Sequence, residues 1–188
     1  TRIVRYLLSF FVMSMAVQTI MLMASSFGIK EVKLASDELI IAIILVQIIA
    51  IPGSFLFSAL SKRFGNVPVL IIATTLWTGV CLFAYFLVDG SQMFFVAAGI
   101  IGFMMGGTQS LNRSTYAKML PDTEDTASYF SFYEVLEKGG VVIGMFSWGY
   151  IEGFTGSMRN SVLALIGFFV VALVLLSSIP KERPLTPA

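Results

Sequence analysis

Long, nearly unbroken apolar runs dominate this sequence and decide what the chain can fold into. A helix that crosses a bilayer needs about 20 mostly apolar residues. Six segments meet that length or come close: residues 3–27, 38–60, 67–88, 93–111, 126–150 and 158–179. In hydrocarbon every backbone N–H and C=O must be satisfied within its own segment or around a closed barrel. The runs are continuously apolar and lack the alternation of barrel strands, so helices are expected. Composition agrees: 57% of residues are hydrophobic and only 12% charged, against about 25% charged in a soluble domain. The expected fold class is an all-α membrane protein of six transmembrane helices, forming one domain over residues 1–188.

The expected connectors are short and polar: Lys30–Asp37, Ser61–Asn66, Asp89–Gln92, Asn112–Asp125 as the longest, and a Gly-rich turn over Glu152–Ser157. Lys181–Ala188 is a Pro-containing tail that cannot continue a helix. Alternating the spans puts Arg2, Arg5, Lys62, Arg63, Arg113, Lys118, Lys181 and Arg183 at one set of ends. The other set holds Lys30, Lys33 and Arg159. The basic-rich side is cytoplasmic by the positive-inside rule. Both termini are then expected in the cytoplasm, which an even number of spans also requires. The expected location is a multi-pass position in a bacterial inner membrane, with the lipid bilayer as first partner.

Several function classes fall away. The chain has no His, which removes imidazole catalysis and His metal ligation. Its single cysteine, Cys81, lies in an apolar run, so neither a disulfide framework nor a thiolate zinc site is expected. There is no nucleotide-binding loop and no convincing nucleophile–base set, so neither an enzyme nor a cofactor is expected. A net charge of +1 carries no nucleic-acid signal.

The fifth segment is the anomaly. Tyr133, Glu134, Glu137 and Lys138 crowd into it, with Glu134 and Lys138 four apart on one helix face. Two registers fit. Within the hydrocarbon these charges cost about 2.5–3.5 kcal/mol each and mark a gate or solute path. If the hydrocarbon starts at Gly139, they are interfacial and Lys138 snorkels. The fourth segment carries Gly102 and Gly106, a small-residue spacing that lets two helix backbones approach closely. Gln109 and Arg113 follow on one face; Arg113 reads either as a membrane anchor or as a partner for an anionic group or for Glu134 or Glu137. Gln18 in the first segment and Gln47 in the second are isolated amides that must face a partner helix or a cavity rather than lipid. Pro52 is expected to kink the second helix, and the sixth reads as lipid-facing.

The stretch Ser58-Ala-Leu-Ser-Lys-Arg-Phe-Gly-Asn resembles a degenerate copy of the loop motif between the second and third helices of each half of a major facilitator superfamily transporter. Leu60, Arg63 and Gly65 match the motif, whereas Ser58, Lys62 and Asn66 depart from it, Lys62 replacing the motif's Asp. Gly102, Gly106, Gly107, Leu120-Pro121, Gly140, Gly144 and Gly149 follow the superfamily's spacing. The run Gly-Gly-Thr-Gln-Ser-Leu-Asn-Arg-Ser-Thr-Tyr-Ala at 106–117, with Tyr129-Phe-Ser-Phe-Tyr and Glu137-Lys-Gly, resembles its vacuole-effluxer-like branch.

The resemblance implies one six-helix half of a twelve-helix transporter, equivalent to helices seven to twelve, with an N-terminal half as missing partner. It implies secondary transport of a small polar solute, with amino acid efflux the branch's analogy, by rocking of two halves around a midplane site. Gln18, Gln47 and Gln109 are the candidate solute-binding groups. Arg113, Tyr133, Glu134, Glu137 and Lys138 are the candidates for gating or charge coupling. The third and sixth helices are expected outermost. The competing reading is a non-transporting six-helix interaction or scaffold protein.

Overall fold

The computed structural model describes residues 2–121 and 125–179. Over these the chain forms six α-helices and no strand: α1 Arg2–Lys30, α2 Ser36–Phe64, α3 Asn66–Leu87, α4 Ser91–Met119, α5 Thr126–Thr155 and α6 Met158–Ser177. Five of them, α1, α2, α3, α4 and α6, are long and apolar enough to cross a membrane, which makes this a multi-pass integral membrane protein. The thirty-residue α5 is the exception. Its first half holds Glu134, Glu137 and Lys138 and its second half is rich in Gly, which dilutes the hydropathy.

The helices overrun the apolar runs. A 29-residue helix is about 44 Å long, against a hydrocarbon core of about 30 Å. The largest correction concerns the expected connector Asn112–Asp125. Here α4 continues through Met119, because Leu111, Asn112, Thr115 and Tyr116 recur at helical spacing and are all buried. Pro121 then ends the helix by forcing Leu120 into extended backbone, at φ −67° and ψ 144°. Likewise α5 runs to Thr155 and stops at Gly156 in the left-handed conformation, at φ 70°. Between α2 and α3 a single residue remains, Gly65, at φ 88°. The tail residues Lys181–Ala188, with Lys181 and Arg183, lie outside the described residues.

Alternating direction sorts the helix ends as the charges suggest. One end of the bundle carries Arg2, Arg5, Lys62, Arg63, Arg113 and Lys118, and the other carries Lys30, Lys33 and Arg159. Contacts tie each end together. At the first, Arg5 donates to the Ser178 carbonyl at 2.7 Å, and Lys118 to the Asn66 side-chain oxygen at 2.9 Å. At the second, Lys30 pairs with Glu152 at 2.8 Å. There Arg159 donates to the carbonyls of Tyr85 and Val88 and to the carboxylate of Asp89, at 3.0, 2.8 and 2.8 Å. Glu31 caps the start of α6, accepting from the Met158 and Arg159 N–H groups at 2.8 and 3.3 Å.

Packing follows a repeated three-helix plan. The main partner of α2 is α4, as the main partners of α5 are α1 and α6; α3 packs on α4 as α6 packs on α1, and α3 meets α6. Exchanging α1–α3 with α4–α6 thus preserves the contact pattern, and the two triplets enter the bundle from opposite ends. That is an inverted three-helix repeat. The α2–α4 contact is made through backbone. A Cβ on Gly102 or Gly106 would overlap the carbonyls of Val46 and Ala50, and one on Gly53 would overlap that of Phe103. Pro52 sits inside α2 without ending it.

Both α3 and α6 have a buried stripe and an outward stripe, with Trp77 stacked on Phe169 at 5.9 Å between them. The least covered helix is α2, which buries only Ala42, Gly53 and Phe57. It and α5 present wide apolar faces, including Ile44, Ile48, Ile51 and Phe55 on α2 and Val142, Phe146, Tyr150 and Phe154 on α5. The large uncovered faces are those of α2 and α5.

Candidate functional site

Three helices each contribute a polar pair four residues apart, and so on one face: Ser14 and Gln18 from α1, Gln109 and Arg113 from α4, Tyr133 and Glu137 from α5. All six line one cavity, with Thr108 and Asn112 beside them and Phe10, Met13 and Val17 as its apolar wall. The cavity volume is about 50 Å³, room for a few water molecules. Gly140 and Gly144 bring α5 against the backbone of α1 at Phe11 and Met15. That approach puts Glu137 within reach of Gln18, whose amide donates to its carboxylate. Across the cavity Arg113 stands 3.7 Å from Glu134, with both side chains 60% exposed. Such a pair contributes little to stability and is free to rearrange.

The end of the cavity nearest the chain's N-terminus is closed by aromatic rings. Phe10 stacks on Tyr133 at 4.1 Å between centroids, Tyr133 on Tyr116 at 5.0 Å, and Tyr6 lies next to Phe10 at 6.3 Å. Tyr6 donates to the Asn112 carbonyl at 2.8 Å and Tyr116 to the Tyr129 carbonyl at 2.9 Å. The layer thus ties α1 to α4, and α4 to the start of α5. Sequence reasoning singled out Tyr133 alone here. The missed partners were signalled by Tyr6 and Phe10, and Tyr129 and Tyr133, each four apart. Behind the cavity Trp77 donates to the Thr108 hydroxyl at 3.0 Å, which in turn donates to the Met104 carbonyl at 2.6 Å.

The remaining candidates lie elsewhere. Gln47 is exposed on α2 and lines a second cavity of about 230 Å³, bounded by α1, α2 and α4. Ser14, Gln18, Met21 and Ser25 form one stripe along α1, so the two cavities lie along the same side of that helix. Lys138 is exposed and lines neither cavity; the ion-pair partner of Glu134 is Arg113 rather than Lys138. Of the loop residues, Leu60 is half-buried, Arg63 lies over the Phe64 ring at 5.3 Å, and Gly65 makes the turn. None of the three reaches the cavity. Among the described residues no group of three or more His, Cys, Asp or Glu could hold a metal ion.

Comparison with known proteins places these features in a family. The model of the "Vacuole effluxer Atg22 like" family matches residues 1–187. An uncharacterized MFS-type transporter, YxiO of Bacillus subtilis, is 29% identical over 94% of this chain and 41% of its own length. Autophagy-related protein 22 of Vanderwaltozyma polyspora is 27% identical over 96% of this chain and 36% of its own. Autophagy-related protein 22-1 of Phaeosphaeria nodorum is 28% identical over 95% and 34%. The chain thus spans about two-fifths or less of the length of the relatives it matches. The match along almost the whole chain, on an all-helical membrane fold with an inverted three-helix repeat, shows that this protein belongs to the vacuole effluxer Atg22-like family of major facilitator-type transporters.

Proposed function

We propose that the chain is the C-terminal six-helix half of a secondary transporter that moves a small polar solute, of the amino acid class, by alternating access. The observation that carries the reading is the convergence of Gln18, Gln109, Arg113 and Glu137 from three helices on one cavity. The cavity offers a guanidinium, which suits a carboxylate. It also offers the Glu137 carboxylate, partnered by a neutral amide rather than a cation, which suits an ammonium group. A zwitterion satisfies both. Glu134, paired with Arg113, gives that cation a resting partner until solute arrives.

On this reading α5 also spans the bilayer, making six spans with both termini in the cytoplasm. The excess of Arg and Lys at the end carrying Arg2, Arg5, Lys62, Arg63, Arg113 and Lys118 supports that orientation. The relatives' greater length supports an N-terminal half as partner. The uncovered faces of α2 and α5 are the surfaces it and the lipid would cover. Gln47 then lines the solute path on the side away from Glu137, and Lys138 faces the other half as part of the gate. By analogy with its bacterial relative, a bacterial inner (plasma) membrane, the one that bounds the cytoplasm, is the proposed location.

The test is counterflow of radiolabelled amino acids into proteoliposomes holding the full-length protein. At least one amino acid should exchange, and Arg113→Gln should lower exchange about tenfold, the scale of one lost charge-assisted contact. Exchange of no amino acid, or an Arg113→Gln variant at full rate, contradicts the reading.

A further inference from the structure

At the basic end of the bundle the ends of α1, α2, α4 and α6 stand around the first turn of α3 and enclose an open cleft of about 540 Å³. That volume is in the range of small-molecule sites. Its lining includes Arg2, Lys62 and Lys118, and no carboxylate among the described residues. Lys118 is held by a neutral group, the Asn66 side-chain oxygen at 2.9 Å. Asn66 is itself fixed, donating to the Thr115 hydroxyl at 3.0 Å. Lys62 is exposed and has no hydrogen-bond or ion-pair partner among the described residues. Gly65, at φ 88°, joins α2 to α3 through one residue and so holds Lys62 beside the α3 N-terminus, whose partial positive charge adds to that of the lysines.

The rest of the lining is largely apolar, with Val67, Ile71 and Leu176 among it. The cleft adjoins outward-facing apolar side chains: Phe64 is 54% exposed and Ile72 is 52% exposed. A free anion would use only the cationic rim. An amphiphile uses both parts, with its charged group at the lysines and its chain along α3. The cleft shares no lining residue with the cavity around Glu137, so it is a separate site.

We propose that this cleft binds the phosphate headgroup of an anionic phospholipid, held by Lys62 and Lys118. Basic pockets between the ends of membrane helices hold lipid phosphates in this way. The inference rests on the chain being membrane-embedded; it does not depend on which leaflet the cleft faces or on what solute is carried.

The experiment is native mass spectrometry of the full-length protein in neutral detergent, titrated with phosphatidylglycerol or phosphatidylcholine. Phosphatidylglycerol should bind about tenfold more tightly, and the double variant Lys62→Gln/Lys118→Gln should lose about tenfold in its affinity, since each cation near a lipid phosphate contributes modestly. Both lysines are exposed and the Lys118–Asn66 contact is a surface one, so the double variant should stay folded and melt within a few degrees of the wild type. Lys33→Gln, an exposed lysine at the opposite end, should bind as the wild type does. Equal binding of the two lipids, or an unchanged double variant, overturns the proposal. Displacement of the lipid by millimolar inorganic phosphate also overturns it, because the site would then be one for a free anion. A protein that exchanges no amino acid but binds phosphatidylglycerol through these lysines would contradict the transport reading and leave this one standing.

Discussion

The side-chain amide of Gln18 on α1 donates to the carboxylate of Glu137 on α5, joining two helices at the wall of the polar cavity. A hydrogen bond to an ionised acceptor is roughly twice as strong as a neutral one. It holds Glu137 in place without neutralising it. A carboxylate so held, on the helix least suited to hydrocarbon, is the feature of this fold hardest to account for by stability alone.

The α2–α4 contact leaves no room for a side chain at its glycines. Gly106→Val should lower stability by about 2–3 kcal/mol or more, because its Cβ meets the Ala50 backbone rather than a movable side chain. Gly79→Ala and Gly167→Ala, where nothing lies within 4 Å of a new Cβ, should be neutral or gain up to about 1 kcal/mol. Thermal melts in detergent measure both. A Gly106→Val protein that melts with the wild type means the two helices do not approach through this face.

Arg159 holds the opposite end together. It is 26% exposed and donates to two carbonyls at the end of α3, whereas its carboxylate partner Asp89 is 75% exposed. Arg159→Ala should cost about 2 kcal/mol, in the range for hydrogen bonds to a charged group. Asp89→Asn should cost under about 1 kcal/mol, as exposed pairs do. Comparable melting-temperature losses for both variants would show that the ion pair, rather than the carbonyl contacts, is the fastening.

Much of this architecture was legible in the sequence, for physical reasons that can be named. The six helices were readable because hydrocarbon forbids unsatisfied backbone, and the α4 glycines because small residues at that spacing have few other uses. The cavity was half-readable. Gln18, Gln109, Arg113, Tyr133 and Glu137 were singled out as polar groups out of place, and the structure brings them together. Gln47 looked the same in sequence, yet α2 turns its glycine face to α4 and leaves Gln47 exposed. The extension of α4 to Met119 was hidden because Asn112–Lys118 is polar enough to read as a loop; burial of Thr115 and Tyr116 against neighbouring helices is a tertiary effect. Arg159 and Glu31 looked like ordinary end charges, and only the meeting of three helix ends makes them fasteners.

Orientation has its own check. A cysteine placed at Lys33 should react with a membrane-impermeant maleimide added outside intact cells, and one at Lys62 should not. The native Cys81 is buried and should stay silent. The reverse labelling pattern overturns the topology.

Lys138 separates a gate from an anchor. It is exposed and lines neither cavity in this unit, so Lys138→Met should leave the melting temperature unchanged. In the full-length protein it should abolish transport if it meets the other half. Undiminished transport reduces it to a side chain that snorkels to the interface.

The most direct measurement is amino acid counterflow by the reconstituted full-length protein carrying Glu137→Gln. That change keeps the side chain's size and leaves a neutral amide oxygen to accept from Gln18, a weaker bond than the charged one. Transport is predicted to fall by about tenfold or more, the scale of one charge-assisted contact to solute, in a protein that stays folded, its melting temperature lowered only by the lost charge assistance in the Gln18 contact. A Glu137→Gln protein that exchanges solute at the wild-type rate would contradict the claim that this cavity is where the transporter holds its cargo.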